Sequence, residues 1–426
     1  MKQNGGYLSM KWLRRGAVAT VIGAVVAGGS LVAAPSADAV GDFYTPPTTI
    51  SSTPGSIVRS QPSPLLLQIP GAPNQWPGTA KRVMYTSTYQ DGKPAAVTGT
   101  FIEPTAAWRG KGARPTVVVG PGTIGQGDQC ASSKMMALPM SVDITQPSIG
   151  VNYTAPEMYY MLLNGVRVFV TDYIGMGTPG IHTYVNRLES GHAMLDGARA
   201  ALRIAGAPAG APVGFAGYSQ GGGSAASAAE LASTYAPELN VRGTYAGAPP
   251  ADLLKVIPAI DGSTIAGAIG FAINGLTARY PRVGEVVRAE TKPAGKAALK
   301  KLSRQCIGDI IMSFPFANTK SWTRTGESLS SLIARYPDVT RIVGEQRIGT
   351  LKPNAPVFVE GGVADDVIPY GQVVSLVRDW RAQGAQVTFL PNTTPPILTK
   401  SIINHVVPML ATFLPGMEFL LAQFNR

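Results

Sequence analysis

The pentapeptide Gly217-Tyr218-Ser219-Gln220-Gly221 sets a serine between two glycines, with the apolar run Val213 to Ala216 before it and Gly222 and Gly223 after it. Such a stretch reads as strand, sharp turn, helix. The glycines let strand and helix approach more closely than side chains permit, and the serine hydroxyl is left exposed on a strained turn. The chemistry on offer is attack on a carbonyl, which a neutral hydroxyl performs only when a base removes its proton. His405, in Ile402-Ile403-Asn404-His405, supplies an imidazole, and Asp365, in Val363-Ala364-Asp365-Asp366-Val367, supplies a carboxylate to fix its tautomer and stabilise its charged form. Asp366 is the neighbouring alternative, because one residue of turn geometry decides which carboxylate points inward. The other two histidines fit less well. His192 falls early in a helix-like run and reads as packed or capping, and His182, following Gly177-Thr178-Pro179-Gly180, reads as structural or substrate-adjacent.

An oxyanion forming on the carbonyl needs donors fixed beforehand, each worth roughly 3 to 4 kcal/mol at such sites. The backbone amide of Gln220 is one candidate. The other is an amide of Gly122 or Thr123, in the loop Gly120 to Cys130, with Thr123 preferred and its hydroxyl a third donor. Asp128 in the same loop either lines the pocket or structures the turn. The loop lacks the lysine and hydroxyl pair of a phosphate cradle. Two cysteines and three scattered histidines have no metal-ligand spacing, and no cofactor-binding loop is found, so neither a metal nor a cofactor is expected.

The elements around these residues alternate. Arg82 to Tyr89 and Ala95 to Ile102 read as a hairpin turning at Asp91-Gly92-Lys93, and Thr116 to Val119 as a strand buried on both faces. Then come helix Pro156–Asn164, strand Val166–Thr171, helix Gly191–Ile204, strand Val213–Gly217, helix Ser224–Tyr235 and strand Val241–Ala246. This is the pattern of an α/β fold with a mostly parallel sheet covered by helices. From Pro249 to about Leu351 it is replaced by helical spacing alone, which predicts an inserted helical cap over the active-site edge, with Lys292, Lys296, Lys300, Lys301 and Arg304 forming a basic face. Strand Pro356–Glu360, helix Tyr370–Ala382 and strand Val387–Leu390 resume the sheet. The expected parts are therefore an export signal (1–39), an extended Pro- and Gly-rich segment (40–79), a first core part (80–248), the helical insertion (249–351) and a second core part (352–426).

The signal is read from basic Lys2, Lys11, Arg14 and Arg15, the apolar stretch Ala17 to Ala34, and Ala37-Asp38-Ala39 as a cleavage site. The chain carries +11, and +8 once residues 1–39 with their four basic side chains and Asp38 are removed. A basic exported protein is biased toward anionic surfaces, lipid headgroups or envelope polymers, and no nucleic-acid motif is present. Outside the cytoplasm Cys130 and Cys306 are expected to pair, closing a long loop worth at most about 5 kcal/mol by chain entropy.

Taken in order, GDFYTPP, YQDGKPAAVTGT, PGTIGQGDQCASS, DYIGMGTPG, LDGARAA, GYSQGG, VADDVIP and INHVVPM resemble the secretory lipase family over nearly the whole chain after residue 39. The resemblance implies an α/β-hydrolase fold with a helical cap, hydrolysis of acylglycerols or other lipid esters, and Ser219, Asp365 and His405 as the triad. It also fits a bridge at the cysteine after Asp128. GYSQG is similar to the cutinase serine motif too, but cutinases are near half this length and lack a cap. Two other readings share the same residues. Acyl transfer to an envelope sugar or other alcohol would use the triad with a different acceptor. A non-catalytic lipid-binding protein would be expected to have lost one of the three residues.

Overall fold

The computed structural model describes residues 43–68, 75–138, 140–143 and 148–426. The export signal expected at 1–39 lies outside these. The strands are β1 (Ile57–Ser63), β2 (Gly78–Thr88), β3 (Pro94–Pro104), β4 (Thr116–Gly120), β5 (Met140–Asp143), β6 (Ser148–Val151), β7 (Arg167–Thr171), β8 (Pro212–Tyr218), β9 (Asn240–Gly247), β10 (Val357–Gly362) and β11 (Val387–Asn392). Nine of them form one sheet in the order β1-β2-β3-β7-β4-β8-β9-β10-β11. The first three and β7 pair antiparallel, and β7 through β11 are parallel. Val117 to Val119 and Phe215 to Gly217 carry essentially no exposure, as the continuous apolar runs require of strands covered on both faces.

The helices are α1 (Ser132–Met135), α2 (Ala155–Leu163), α3 (Arg187–Ile204), α4 (Gln220–Tyr235), α5 (Leu253–Ile260), α6 (Gly267–Arg279), α7 (Pro281–Glu290), α8 (Pro293–Leu302), α9 (Ile307–Ser313), α10 (Leu329–Ala334), α11 (Pro337–Gly344), α12 (Tyr370–Ala382) and α13 (Ile403–Phe424). Helices α5 to α11 all fall between β9 and β10. The end of that stretch is tied to α4 through Glu230. Its side chain is fully buried and accepts hydrogen bonds from Gly349 N (2.6 Å), Trp380 Nε1 (2.8 Å) and Arg187 Nη2 (2.6 Å). Such a set of partners offsets the cost of burying a carboxylate.

Several boundaries differ from expectation, each for a local reason. Ile57–Ser63 forms an edge strand paired with β2 where only an extended wrapping segment was expected; its polar residues and Pro62 suit an edge, where half the face meets solvent. The β5–β6 hairpin was not anticipated at all. Helix α3 begins at Arg187, four residues before the apolar periodicity suggests, because the Asn186 side chain caps it by accepting from Glu189 N. Helix α4 begins directly at Gln220, so the glycines after the serine belong to the helix. His405 lies in the first turn of α13.

Among the described residues α13 alone is long and apolar enough to cross a membrane. It packs instead against the sheet: a Cβ on its Gly416 would lie 2.4 Å from the Tyr245 ring of β9, and Phe419 meets Phe358 of β10 at 5.6 Å between centroids.

Candidate active site

Ser219 follows the last residue of β8 and precedes the first of α4, with φ 59° and ψ −123°. A non-glycine residue is strained there, and the strain is held by close packing on both sides. A Cβ on Gly221 would sit 1.9 Å from Gly120 O at the end of β4, and one on Gly222 would sit 2.0 Å from Gly247 O at the end of β9. Only glycine lets the helix start wedge between the two strand ends. Ser219 N–H donates to Gly247 O (2.9 Å), and its hydroxyl makes no capping bond to α4, so the Oγ is left for chemistry.

Asp365 lies three residues past β10 and is 7 % exposed. Its Oδ1 accepts from Val367 N and Ile368 N, both at 2.9 Å, while Oδ2 lies 2.7 Å from His405 Nδ1. One oxygen is anchored by the turn and the other is aimed at the imidazole, which fixes the Nδ1–H tautomer and leaves Nε2 as the basic atom. His405 Nε2 is buried and has no hydrogen-bond partner; the expected bond to Ser219 Oγ is not made in this structure. The imidazole nevertheless packs beside the elbow. The ring of Tyr218, the residue before the serine, lies 5.0 Å from that of His405, and its hydroxyl donates to His405 O at 2.7 Å. Asp366 turns away: its Oδ2 accepts from Lys400 N and Asn404 Nδ2.

The loop after β4 is buried from Gly120 to Gly127. Attachments to the segment leading into α9 fix it, among them the Cys130–Cys306 disulfide, the bond from Gln126 N to Gln305 O (2.9 Å), the bond from Gln129 Nε2 to Arg304 O (2.6 Å) and the bond from Ile307 N to Ile124 O (2.9 Å). Tyr173 donates to Pro121 O at 2.7 Å, and Tyr184 shares a 2.6 Å hydrogen bond with Thr123 Oγ1, so that hydroxyl already has a partner. Gly122 has room for no side chain, since a Cβ would meet Tyr153 Oη at 2.3 Å. Gln220, as first residue of α4, has a backbone N–H with no intrahelical acceptor. Asp128 structures the loop, accepting from Gly177 N at 3.0 Å. His192 stacks on Tyr235 and faces Thr88 O, on the α3–α4 side of the sheet.

His182, with 1 % exposure, is bonded through Nε2 to the side-chain nitrogen of Gln220 (2.8 Å) and through Nδ1 to Ile174 O (3.1 Å). Burial pushes its pKa down to about 4 from the ordinary 6.5. A depressed histidine contributes stability above the unfolded value and loses it as pH falls from about 6.5 through about 4, by roughly 3 kcal/mol. In thermal unfolding from pH 7 to pH 4, the stability advantage of the wild type over His182→Gln is expected to shrink by about that amount. An advantage constant with pH would show that His182 is not held neutral.

Tyr218, Tyr173 and Tyr184 carry no signal in one dimension. Their roles come from residues more than 50 positions away.

The secretory lipase profile matches residues 142–418. A protein named a probable inactive lipase, from Mycobacterium tuberculosis, is 28 % identical over 360 residues, 82 % of this chain and 75 % of that one. A secreted triacylglycerol lipase of Malassezia restricta is 28 % identical over 357 residues, 82 % and 72 % of the two chains. Among solved structures, Candida antarctica lipase A in its closed state superposes with a TM-score of 0.74 at 22 % identity over 90 % of this chain and 85 % of the other. The rice cell wall degrading esterase of Xanthomonas oryzae gives 0.70 at 18 %, over 88 % and 100 %. The fold is thus that of the α/β-hydrolase lipases, and the chain, matched by the profile over more than half its length, belongs to the secretory lipase family.

Proposed function

We propose that the protein is an exported serine lipase or carboxylesterase that hydrolyses lipid esters through an acyl-enzyme on Ser219. The carrying observation is the 2.7 Å bond between His405 Nδ1 and Asp365 Oδ2, beside a strained serine whose hydroxyl caps nothing, with His405 Nε2 buried and unpartnered. In this reading Nε2 takes the Ser219 proton as Oγ attacks the ester carbonyl, and returns it to the departing alcohol. Water then repeats the sequence on the acyl-enzyme. The developing oxyanion is received by the backbone amides of Gln220 and of Gly122 or Thr123. A protein that only bound lipid would have no use for an imidazole held in the basic tautomer, which favours catalysis although one relative is named inactive.

The insertion at 249–351 would serve as a cap, and its apolar interior as the seat of a medium or long acyl chain. An apolar pocket of about 70 Å³ lies between α5, α6, α7, α10 and α11, lined by Ile257, Ile273, Leu276, Val286 and Ile333 among others. Lys296, Lys300, Lys301 and Arg304 are exposed on α8 and just after it, and would favour an anionic lipid or envelope surface. Export would proceed through residues 1–39.

The test is release of p-nitrophenol from acetate, butyrate and laurate esters, with glycerol monolaurate present as a competing acceptor. The expected result is a kcat/KM higher for laurate than for acetate, with free acid as main product. Equal turnover of the two would remove the acyl-chain reading, and a preponderance of transferred ester would make the protein an acyltransferase.

A further inference from the structure

We propose that His182 is a positioning residue for the oxyanion hole: as a neutral imidazole it fastens the side chain of Gln220 and braces the loop carrying Gly122 and Thr123, so that both walls are preorganised by one buried ring. The inference rests on the reading of Ser219 as nucleophile and of the Gln220 amide as an oxyanion donor.

The hydrogen-bond directions follow from chemistry. Ile174 O can only accept, so the His182 nitrogen facing it, Nδ1, carries the proton. A neutral ring then leaves Nε2 as an acceptor, and the Gln220 side chain must donate its amide nitrogen to it. Turning that amide over would set its oxygen against a lone pair. Gln220 is thus locked in one orientation, with its Oε1 buried and without a partner, a cost that only the bond to His182 offsets. Because Gln220 is the first residue of α4, fixing its side chain also fixes the direction of the N–H beside Ser219.

The same ring supports the opposite wall. Tyr173 stacks on it, with centroids 5.6 Å apart and planes 18° from parallel, and holds Pro121 O. Tyr184 meets it edge-on at 6.1 Å and holds Thr123 Oγ1. The backbone oxygen of His182 accepts from Gln126 Nε2, whose oxygen accepts in turn from Asn274 of α6. His182 therefore connects the nucleophile helix, the loop after β4 and the inserted helices. It touches no reacting atom, and its effect is on geometry, where small displacements of a donor are costly to the transition state and indifferent to substrate binding.

The experiment measures kcat, KM and the affinity for a trifluoromethyl ketone transition-state analogue in the full chain, for wild type, His182→Leu, Gln220→Leu, the double variant and His182→Gln. Thermal unfolding of each accompanies the kinetics. Expected is a kcat lowered about 10- to 100-fold in either leucine variant, with KM within about twofold and inhibitor affinity falling in parallel with kcat/KM. The double variant should be no worse than the singles, because both remove one link. His182→Gln, whose amide oxygen can stand near the position of Nε2, should recover most of the loss. Multiplying effects in the double variant, or a His182→Gln as impaired as His182→Leu at equal melting temperature, would overturn the inference. So would full kcat in Gln220→Leu, which holds even where His182→Leu fails to fold. Wild-type protein without Ser219-dependent turnover overturns the hydrolase reading itself, whereas an active wild type with unaffected variants overturns the positioning role alone.

Discussion

Ser219→Ala is expected to lower kcat on a p-nitrophenyl ester by about 10⁶-fold, with KM little changed and no acyl-enzyme detectable by mass spectrometry after a quench. The size of the effect follows from the division of labour at the elbow. Removing the hydroxyl leaves Asp365, His405 and the oxyanion donors in place, so binding persists and only the covalent step is lost. What remains is the rate that prearranged donors and bound geometry give to water, about 10³ to 10⁴ above the uncatalysed reaction. The alanine adopts the strained φ of 59° no more easily than serine does, so the melting temperature should stay close to that of the wild type. A variant retaining more than about one per cent of wild-type kcat would mean that another group attacks the ester.

Asp365→Asn is expected to cost about 10⁴-fold in kcat, whereas Asp366→Asn costs less than about tenfold, the scale of one altered hydrogen bond. The asymmetry is set by the turn. Val367 N–H and Ile368 N–H both donate to one oxygen of Asp365, and in the asparagine variant they select the amide oxygen for that position. The amide nitrogen is then left facing His405 and donates to Nδ1. Nδ1 becomes an acceptor, the ring proton moves to Nε2, and the atom that should take the serine proton already carries one. At Asp366 an asparagine oxygen can still accept from Lys400 N and Asn404, so the loop keeps its shape. The reverse ranking would make Asp366 the acid, against the geometry described. Equal and small losses would leave His405 oriented by the Tyr218 and Asp365 contacts without need of a negative charge.

The sheet was legible where one physical signal dominated. Thr116–Val119 is wholly β-branched and Val213–Gly217 is a short run without a charged or polar side chain, both suited to burial on both faces, and β4 and β8 lie within a residue of those limits. Edge strand β1 was hidden because an edge tolerates Arg59, Gln61 and Pro62, residues that weaken any periodic signal. The beginning of α3 was misplaced because a single cap, Asn186, decides it, and capping is a local contact that hydrophobic spacing does not record. Ser219, Asp365 and His405 could be singled out because catalytic type and chain order coincide in them. Their supports could not. Tyr218 finds the carbonyl of His405 across 187 positions, and His182 finds Gln220 across 38, distances closed by strand order alone.

The disulfide from the loop after β4 to the start of α9 spans 176 positions, and its effect extends to the order in which the protein comes into being. During synthesis the stretch from Gly120 to Cys130 emerges early, yet its neighbours Gln305, Cys306 and Ile307 exist only after most of the chain has been made, and His405 follows later still. A nascent chain that stops short of residue 405 lacks one of the three proposed catalytic side chains. The covalent fastening also waits for surroundings that oxidise thiols, which the cytoplasm does not provide. In the proposed hydrolase the bridged loop, the serine elbow and His405 can therefore come together only after residue 405 has been made, and the bridge itself forms only once the chain meets oxidising surroundings.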